Sequence, residues 1–170
     1  SNTDPLYQLI KSLSKSEKRN FKLYVNRIQS NEDSKFMMLF DVIDKQTDYN
    51  EDKILLKAND ISKTQLSNLK AHLYKQILMS LRLNASNQDL DIYLREQIDY
   101  AKLLYNKGLY NQSLKMLDKA KVTATEFEKN AILLEILDFE KHIEGQYITR
   151  SINTTAEEIT TSSSLLSKKI

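Results

Sequence analysis

The densest group of residues that could do chemistry lies between residues 135 and 144. It holds four carboxylates and a histidine, namely Glu135, Asp138, Glu140, Glu144 and His142. On a helix Asp138 and His142 share one face, and this spacing could hold a metal ion. A metal site in a helix bundle usually takes a second carboxylate–histidine pair from another helix, and the sequence offers none. We therefore predict a charged helix surface, with no metal site and no catalytic residue.

Residue usage also limits other kinds of catalysis. The chain has no cysteine and only two histidines, which removes disulfides, thiolate zinc sites and cysteine nucleophiles. The other histidine, His72, has no acidic pair nearby. Two glycines could scarcely build a phosphate loop, a nucleophile elbow or a dinucleotide fingerprint, and the sequence has none of these motifs. We predict that the protein is not an enzyme and uses no cofactor.

A candidate basic patch lies near the start of the chain. Residues 11–27 contain six basic residues and one acidic residue. Lys15, Lys18, Arg19 and Lys22 fall on one helical stripe, which could bind phosphate or an acidic partner. The alternative is a solvated helix face, and we favour it because charge runs on surface helices are common.

A second basic segment loosely imitates a DNA-binding helix-turn-helix. Residues 51–82 predict a short helix, a polar turn and a longer helix with four cations, Lys63, Lys70, Lys75 and Arg82. That longer helix is heavily apolar, which suits a buried strut better than a recognition helix. The accessory or sensing part of a DNA-binding regulator is thus our alternative function, and nucleic acid is an alternative partner that we do not favour.

The elements that position these residues are predicted to be helices throughout. With 41% hydrophobic residues, two glycines and one proline in 170 residues, long helices are favoured over strands. Asp4 with Pro5 marks the first helix start, and Ser14 with Glu17 and Ser62 with Gln65 form capping boxes. We predict an all-α fold of about eight or nine helices.

We divide the chain into three parts. Residues 1–85 form an N-terminal helical region with a long central helix over 63–84, whose apolar stripe, including Tyr74 and Leu78, is wide enough for burial on two sides. Residues 86–150 form helical hairpins, with Ser86 as the first cap. Residues 151–170 form a C-terminal helix or tail, where Thr154 and Glu157 indicate a ninth helix.

The middle part carries a pattern of small residues and a turn. Ala101, Ser113 and Ala120 are small where two helices of a hairpin would touch, and Gly108 with Tyr110 forms the turn. With this spacing, residues 94–127 resemble a tetratricopeptide repeat, a helix-turn-helix unit of about 34 residues. Two positions depart from the family pattern: Gln97 replaces the usual aromatic residue and Thr125 the usual proline.

The resemblance implies both an architecture and a function. A single repeat cannot bury its own faces, so antiparallel hairpins should stack on it as a tetratricopeptide-like α-solenoid. Such arrays bind a peptide or helix of a partner protein in a groove lined by their first helices. The resemblance therefore implies a non-catalytic scaffold for protein binding, with a partner-binding groove at Arg95, Asp99, Lys102, Tyr105 and Asn106.

Tyrosines surround this turn and have two interpretations. Tyr93, Tyr100, Tyr105 and Tyr110 could line a groove for an apolar anchor. They could instead pack the hairpin while their hydroxyls contact water. We favour the second interpretation.

Sorting signals and chain ends give weaker expectations. The sequence has no apolar run of 18 residues and no charged segment followed by an apolar one at its start, so we expect no membrane segment and a cytoplasmic location. We also expect a fragment of a longer protein, because the apolar side of Leu165, Leu166 and Ile170 has nothing after it to complete a helix pair. The sequence gives no indication of the oligomeric state.

Overall fold

The computed structural model describes residues 2–28, 33–58, 60–85, 88–146, 148 and 157. Within these ranges all regular structure is helical, with eight helices and no strand, and the predicted all-α class is confirmed. The chain divides into two compact units, unit 1 (Ser1–Ala85) and unit 2 (Ser86–Ile170). The division falls where we place the first boundary. The stacking of hairpins into a solenoid remains a prediction.

Three helices of unit 1 begin at the predicted capping residues. The described residues of this unit form α1 (Pro5–Ser12), α2 (Lys15–Ile28), α3 (Asp33–Lys45), α4 (Glu51–Lys57) and α5 (Lys63–Ala85). The Asp4 carboxylate caps α1. The backbone N–H of Ser14 donates to Glu17 at 2.9 Å, and that of Ser62 donates to Gln65 at 2.9 Å. Both predicted capping boxes are therefore confirmed.

The long helix α5 is the centre of unit 1, where it packs against α1, α2 and α3. Its buried residues Leu66, Leu73 and Ile77 join one core with the apolar faces of the other helices. The prediction of burial on two sides is wrong, because Tyr74 and Leu78 are 37% and 44% exposed. The apolar stripe is wider than the face that the neighbouring helices cover.

Unit 2 is built on a helical hairpin. It contains α6 (Leu90–Asn106), α7 (Tyr110–Glu126) and a helix over residues 130–146, here α8. Asp89 caps α6 by accepting from the backbone N–H of Ile92 at 3.2 Å, whereas we predicted Ser86, which lies outside the described residues. Thr154, the predicted start of a ninth helix, also lies outside them.

The hairpin turn depends on the backbone conformation of Gly108. This residue has a φ of +77°, in the left-handed region that favours glycine. The backbone N–H of Leu109 donates to the Leu104 carbonyl at 3.0 Å, and that of Gly108 donates to the Tyr105 carbonyl at 2.9 Å. These two bonds form a Schellman motif, which satisfies the last carbonyls of α6.

A second Schellman motif ends α7 without glycine. Glu128 has a φ of +54°, and its backbone N–H donates to the Thr125 carbonyl at 3.3 Å. The N–H of Lys129 donates to the Ala124 carbonyl at 2.8 Å. The chain thus turns into α8 through the same hydrogen-bond pattern, at the energetic cost of a left-handed glutamate.

Candidate partner-binding site

Four of the five predicted groove residues form an exposed stripe on α6. Arg95, Asp99, Lys102 and Asn106 are exposed, and their spacing of three or four residues places them on one side of the helix. Tyr105 lies half-buried beside them. The helix therefore presents alternating charges next to an aromatic ring.

Side chains of α8 contact this stripe at three places. Arg95 Nη1 lies 3.4 Å from a carboxylate oxygen of Glu135. Lys102 Nζ lies 5.5 Å from the centre of the Phe139 ring. The hydroxyl of Tyr105 lies 3.1 Å from Nε2 of His142. The two helices therefore share one surface, the α6–α8 surface, formed by Arg95, Asp99, Lys102, Tyr105, Asn106, Glu135, Phe139 and His142.

Tyr105 is the centre of an aromatic cluster at this surface. Its ring lies 5.4 Å from that of Tyr110, 5.7 Å from that of Phe139 in an edge arrangement, and 5.6 Å from that of His142. Lys102 Nζ lies 5.2 Å above the Tyr105 ring. Contacts on several sides fix the tyrosine in one orientation. The other two tyrosines of this region, Tyr93 and Tyr100, are more than a third exposed.

An open depression of about 630 Å³ runs along α8 beside this cluster. It is lined by Glu135, Asp138, Phe139, Lys141 and His142. Charges of both signs lie around one aromatic ring, a lining suited to polar peptide groups. In the part of the chain that the structure describes, no three histidine or acidic side chains are grouped closely enough to hold a metal ion.

The residues expected to pack the repeat lie at the α6–α7 contact. Ala101, Ser113 and Ala120 are buried, and the Ser113 hydroxyl donates to the Ala101 carbonyl at 2.6 Å. The hydroxyl thereby joins α7 to α6. Tyr110 is the first residue of α7, immediately beyond the Gly108 turn.

The candidate basic patch on α2 is partly neutralised by α3. Lys18 Nζ lies 2.6 Å from a carboxylate oxygen of Asp44, and Lys22 Nζ lies 3.5 Å from one of Asp41. Lys15 and Arg19 are exposed on the same helix. The sequence shows the two acids but does not show that α3 lies against this side of α2.

Lys70, proposed for the DNA-binding alternative, lies in an internal network. Its ammonium group forms an ion pair with Asp4 and donates to the Tyr49 hydroxyl at 2.6 Å. Burial opposes its charge, but the hydrogen bonds to Asp4 and Tyr49 outweigh that effect and raise the pKa of Lys70. Burial also raises the pKa of Tyr49, more than Lys70 lowers it. This cation ties the start of α1 to α5.

The α8 half of the surface is not among the groove residues that the sequence predicts. Glu135 and His142 belong to the predicted charged helix surface, and neither prediction includes Phe139. The signal that could have found them is the repeat length, because Tyr105 and Phe139 are 34 residues apart. In an array of repeats, the first helix of one repeat lies beside the first helix of the next repeat, so residues about one repeat length apart come together.

No protein-family model, curated protein or solved structure matches this chain. The tetratricopeptide resemblance therefore rests on the residues quoted for it.

Among the described residues, no helix has the length and apolar character needed to cross a membrane.

Proposed function

We propose that the chain is a non-catalytic protein-interaction module, a tetratricopeptide-like scaffold that binds a peptide or helix of a partner protein at the α6–α8 surface. The observation that carries this proposal is the exposed face that α6 and α8 share through the contact of Tyr105 with His142. The separation of 37 residues between these two positions is close to one repeat. A cytoplasmic location is part of the same proposal.

The chemistry of the surface suits a protein partner. Tyr105 offers an aromatic ring that is already held in place, so binding need not immobilise it at a further entropic cost. Arg95, Asp99 and Lys102 surround it with charges of both signs. Such charges contribute more to the choice and orientation of a partner than to affinity.

The DNA-binding alternative receives less support from the contacts. Lys70 is occupied by Asp4 and Tyr49, and Lys18 and Lys22 pair with acidic residues of α3. Non-specific DNA binding draws on several cations that contact phosphates together. Three of the basic residues on which this alternative depends, Lys18, Lys22 and Lys70, already neutralise carboxylates.

Affinity purification from cells of the source organism tests the proposal. The tagged wild-type chain serves as bait beside the charge-reversed variant Arg95→Glu/Lys102→Glu. Lys119→Glu, on an exposed part of α7, is the matched control. We expect a partner that the control retains and that the double variant recovers at least about tenfold less, a loss of about 1.4 kcal/mol. Equal recovery by all three baits, or no enriched protein, would contradict the proposal.

A further inference from the structure

The side of α8 that faces away from the core of unit 2 carries an apolar stripe with two charged residues in it. The buried side chains of α8 are Ile132, Ile136 and Ile143. Because a helix turns about 100° per residue, the opposite side follows steps of three and four residues from position 134. The residues at these steps are Leu134, Leu137, Lys141, Glu144 and Ile148, here called the α8 stripe.

The α8 stripe is open to solvent. Leu134 is 68% exposed, Leu137 is 38% exposed and Ile148, which is also helical, is 57% exposed. Lys141 and Glu144 are exposed as well, and among the described residues neither of them forms an ion pair. The stripe therefore offers apolar surface together with one cation and one anion that are not yet neutralised.

The other charged residues of α8 lie beside the stripe and face other elements. Glu140 forms an ion pair with a lysine of α7 at 2.9 Å, and Glu135 forms one with an arginine of α6 at 3.4 Å. Asp138 and His142 line the depression beside the α6–α8 surface, and Lys141 stands at the border between this depression and the stripe. The charge pattern of the stripe itself is thus one lysine followed three residues later by one glutamate.

This pattern is its own complement when two α8 helices pair antiparallel. Steps of three and four residues are those of a helix-pairing seam, and a charged residue in such a seam is costly unless an opposite charge meets it. With a two-fold axis between positions 142 and 143, Lys141 meets Glu144 of the second copy, and Leu137 meets Ile148 of the second copy. Two-fold symmetry makes each of these contacts twice. Leu134 then lies at each end of the contact.

We infer that the α8 stripe binds the same stripe of a second copy of this chain, antiparallel and about a two-fold axis. Charge complementarity selects this occupant and this direction, because a parallel pair would place Lys141 against Lys141 and Glu144 against Glu144. One pair of helices buries less than the roughly 1,200 Å² of a stable interface, so we expect a weak dimer with a Kd of about 10–100 µM. The inference does not depend on the α6–α8 surface, which lies on another side of α8.

Sedimentation velocity of the full chain, from about 5 to about 500 µM, tests this inference. The wild-type chain should pass from monomer to dimer across this range. Lys141→Glu and Glu144→Lys each place like charges together at two positions, so each should weaken the dimer at least about tenfold. Lys119→Glu, an equal charge reversal on the exposed side of α7, is the matched control and should leave the Kd unchanged.

Combining the two reversals separates pairing of these residues from a general effect of charge. The double variant Lys141→Glu/Glu144→Lys restores opposite charges across the axis, so its Kd should return to within about threefold of the wild-type value. An equimolar mixture of the two single variants should also dimerise, because every lysine of one chain then meets a glutamate of the other. Each single variant alone should stay monomeric at the same concentration. Circular dichroism verifies that all variants are folded.

Several results would overturn the inference. A wild-type chain that stays monomeric up to about 500 µM would do so and would leave the stripe to another partner. A dimer that neither single reversal weakens would be formed by a different surface. A double variant or a mixture that fails to recover dimerisation would show that Lys141 and Glu144 do not meet across the axis.

Discussion

Replacing Lys70 with methionine should destabilise unit 1 by about 2–3 kcal/mol. The side chains of Lys70 and Asp4 are only 18% and 13% exposed, and they form an ion pair with each other. Exposed ion pairs contribute about 0–1 kcal/mol, whereas removing one partner of a buried pair costs about 3–5 kcal/mol. The expected loss lies between these ranges, and it includes the hydrogen bond to Tyr49. Methionine keeps most of the apolar stem, so packing changes little.

A double-mutant cycle isolates the contribution of the pair. Asp4→Asn keeps a side-chain oxygen that can cap α1, so this variant mainly removes the charge. We expect the combined variant Lys70→Met/Asp4→Asn to lose about 1–2 kcal/mol less than the sum of the two single losses. The assay is urea unfolding followed by the helical circular dichroism signal, and hydrogen exchange of the α1 amides localises the effect.

The control replaces a lysine on the same helix that is exposed to solvent. Lys75→Met should change the free energy of unfolding by no more than about 0.5 kcal/mol, as for most surface substitutions. Equal losses for Lys70→Met and Lys75→Met, or additive losses in the cycle, would show that the network does not stabilise the fold.

Three further substitutions and the pH dependence of stability have expected outcomes. Glu128→Gly should stabilise unit 2 by about 0.5–1 kcal/mol, because it relieves a left-handed residue, whereas Gly108→Ala should destabilise it by a similar amount, both measured by urea unfolding. Ala101→Leu should cost about 1–3 kcal/mol in the same assay, since the side chain is fully buried at the α6–α7 contact. The raised pKa values of Lys70 and Tyr49 mean that the folded state holds these protons more tightly than the unfolded state. Their stabilisation is complete below about pH 10 and is lost as pH rises through the folded pKa values. Lys70→Met should therefore remove the lysine's part of the alkaline decrease in melting temperature, whereas the part that comes from the buried Tyr49 should remain.

Local signals predicted the helix starts well because capping acts within four residues. The bonds of Ser14 with Glu17 and of Ser62 with Gln65 form wherever those residues begin a helix. Glu128 shows the limit of such signals. Glycine normally marks a left-handed helix end, and nothing in the type of this residue indicates that α7 ends beside it.

Contacts between helices could not be read from the sequence in the same way. Lys70 and Asp4 are 66 residues apart, and only the packing of α1 against α5 brings them together. The width of the α5 stripe predicts burial on two sides, and this prediction is wrong for a related reason. An apolar side chain such as that of Leu78 is compatible with burial, but the packing of the neighbouring helices determines whether it is buried.

The two basic regions of unit 1 show why charge counts alone do not locate a binding surface. The α2 stripe is the more basic by sequence, yet Lys18 and Lys22 lie against Asp44 and Asp41. On α5, Lys70 forms an ion pair with Asp4 and donates to the Tyr49 hydroxyl. An anionic partner at either region therefore competes with carboxylates that are already in place. The residues that the fold brings against each cation decide how much of its charge is available to a ligand, and these residues lie far from the cation in the sequence.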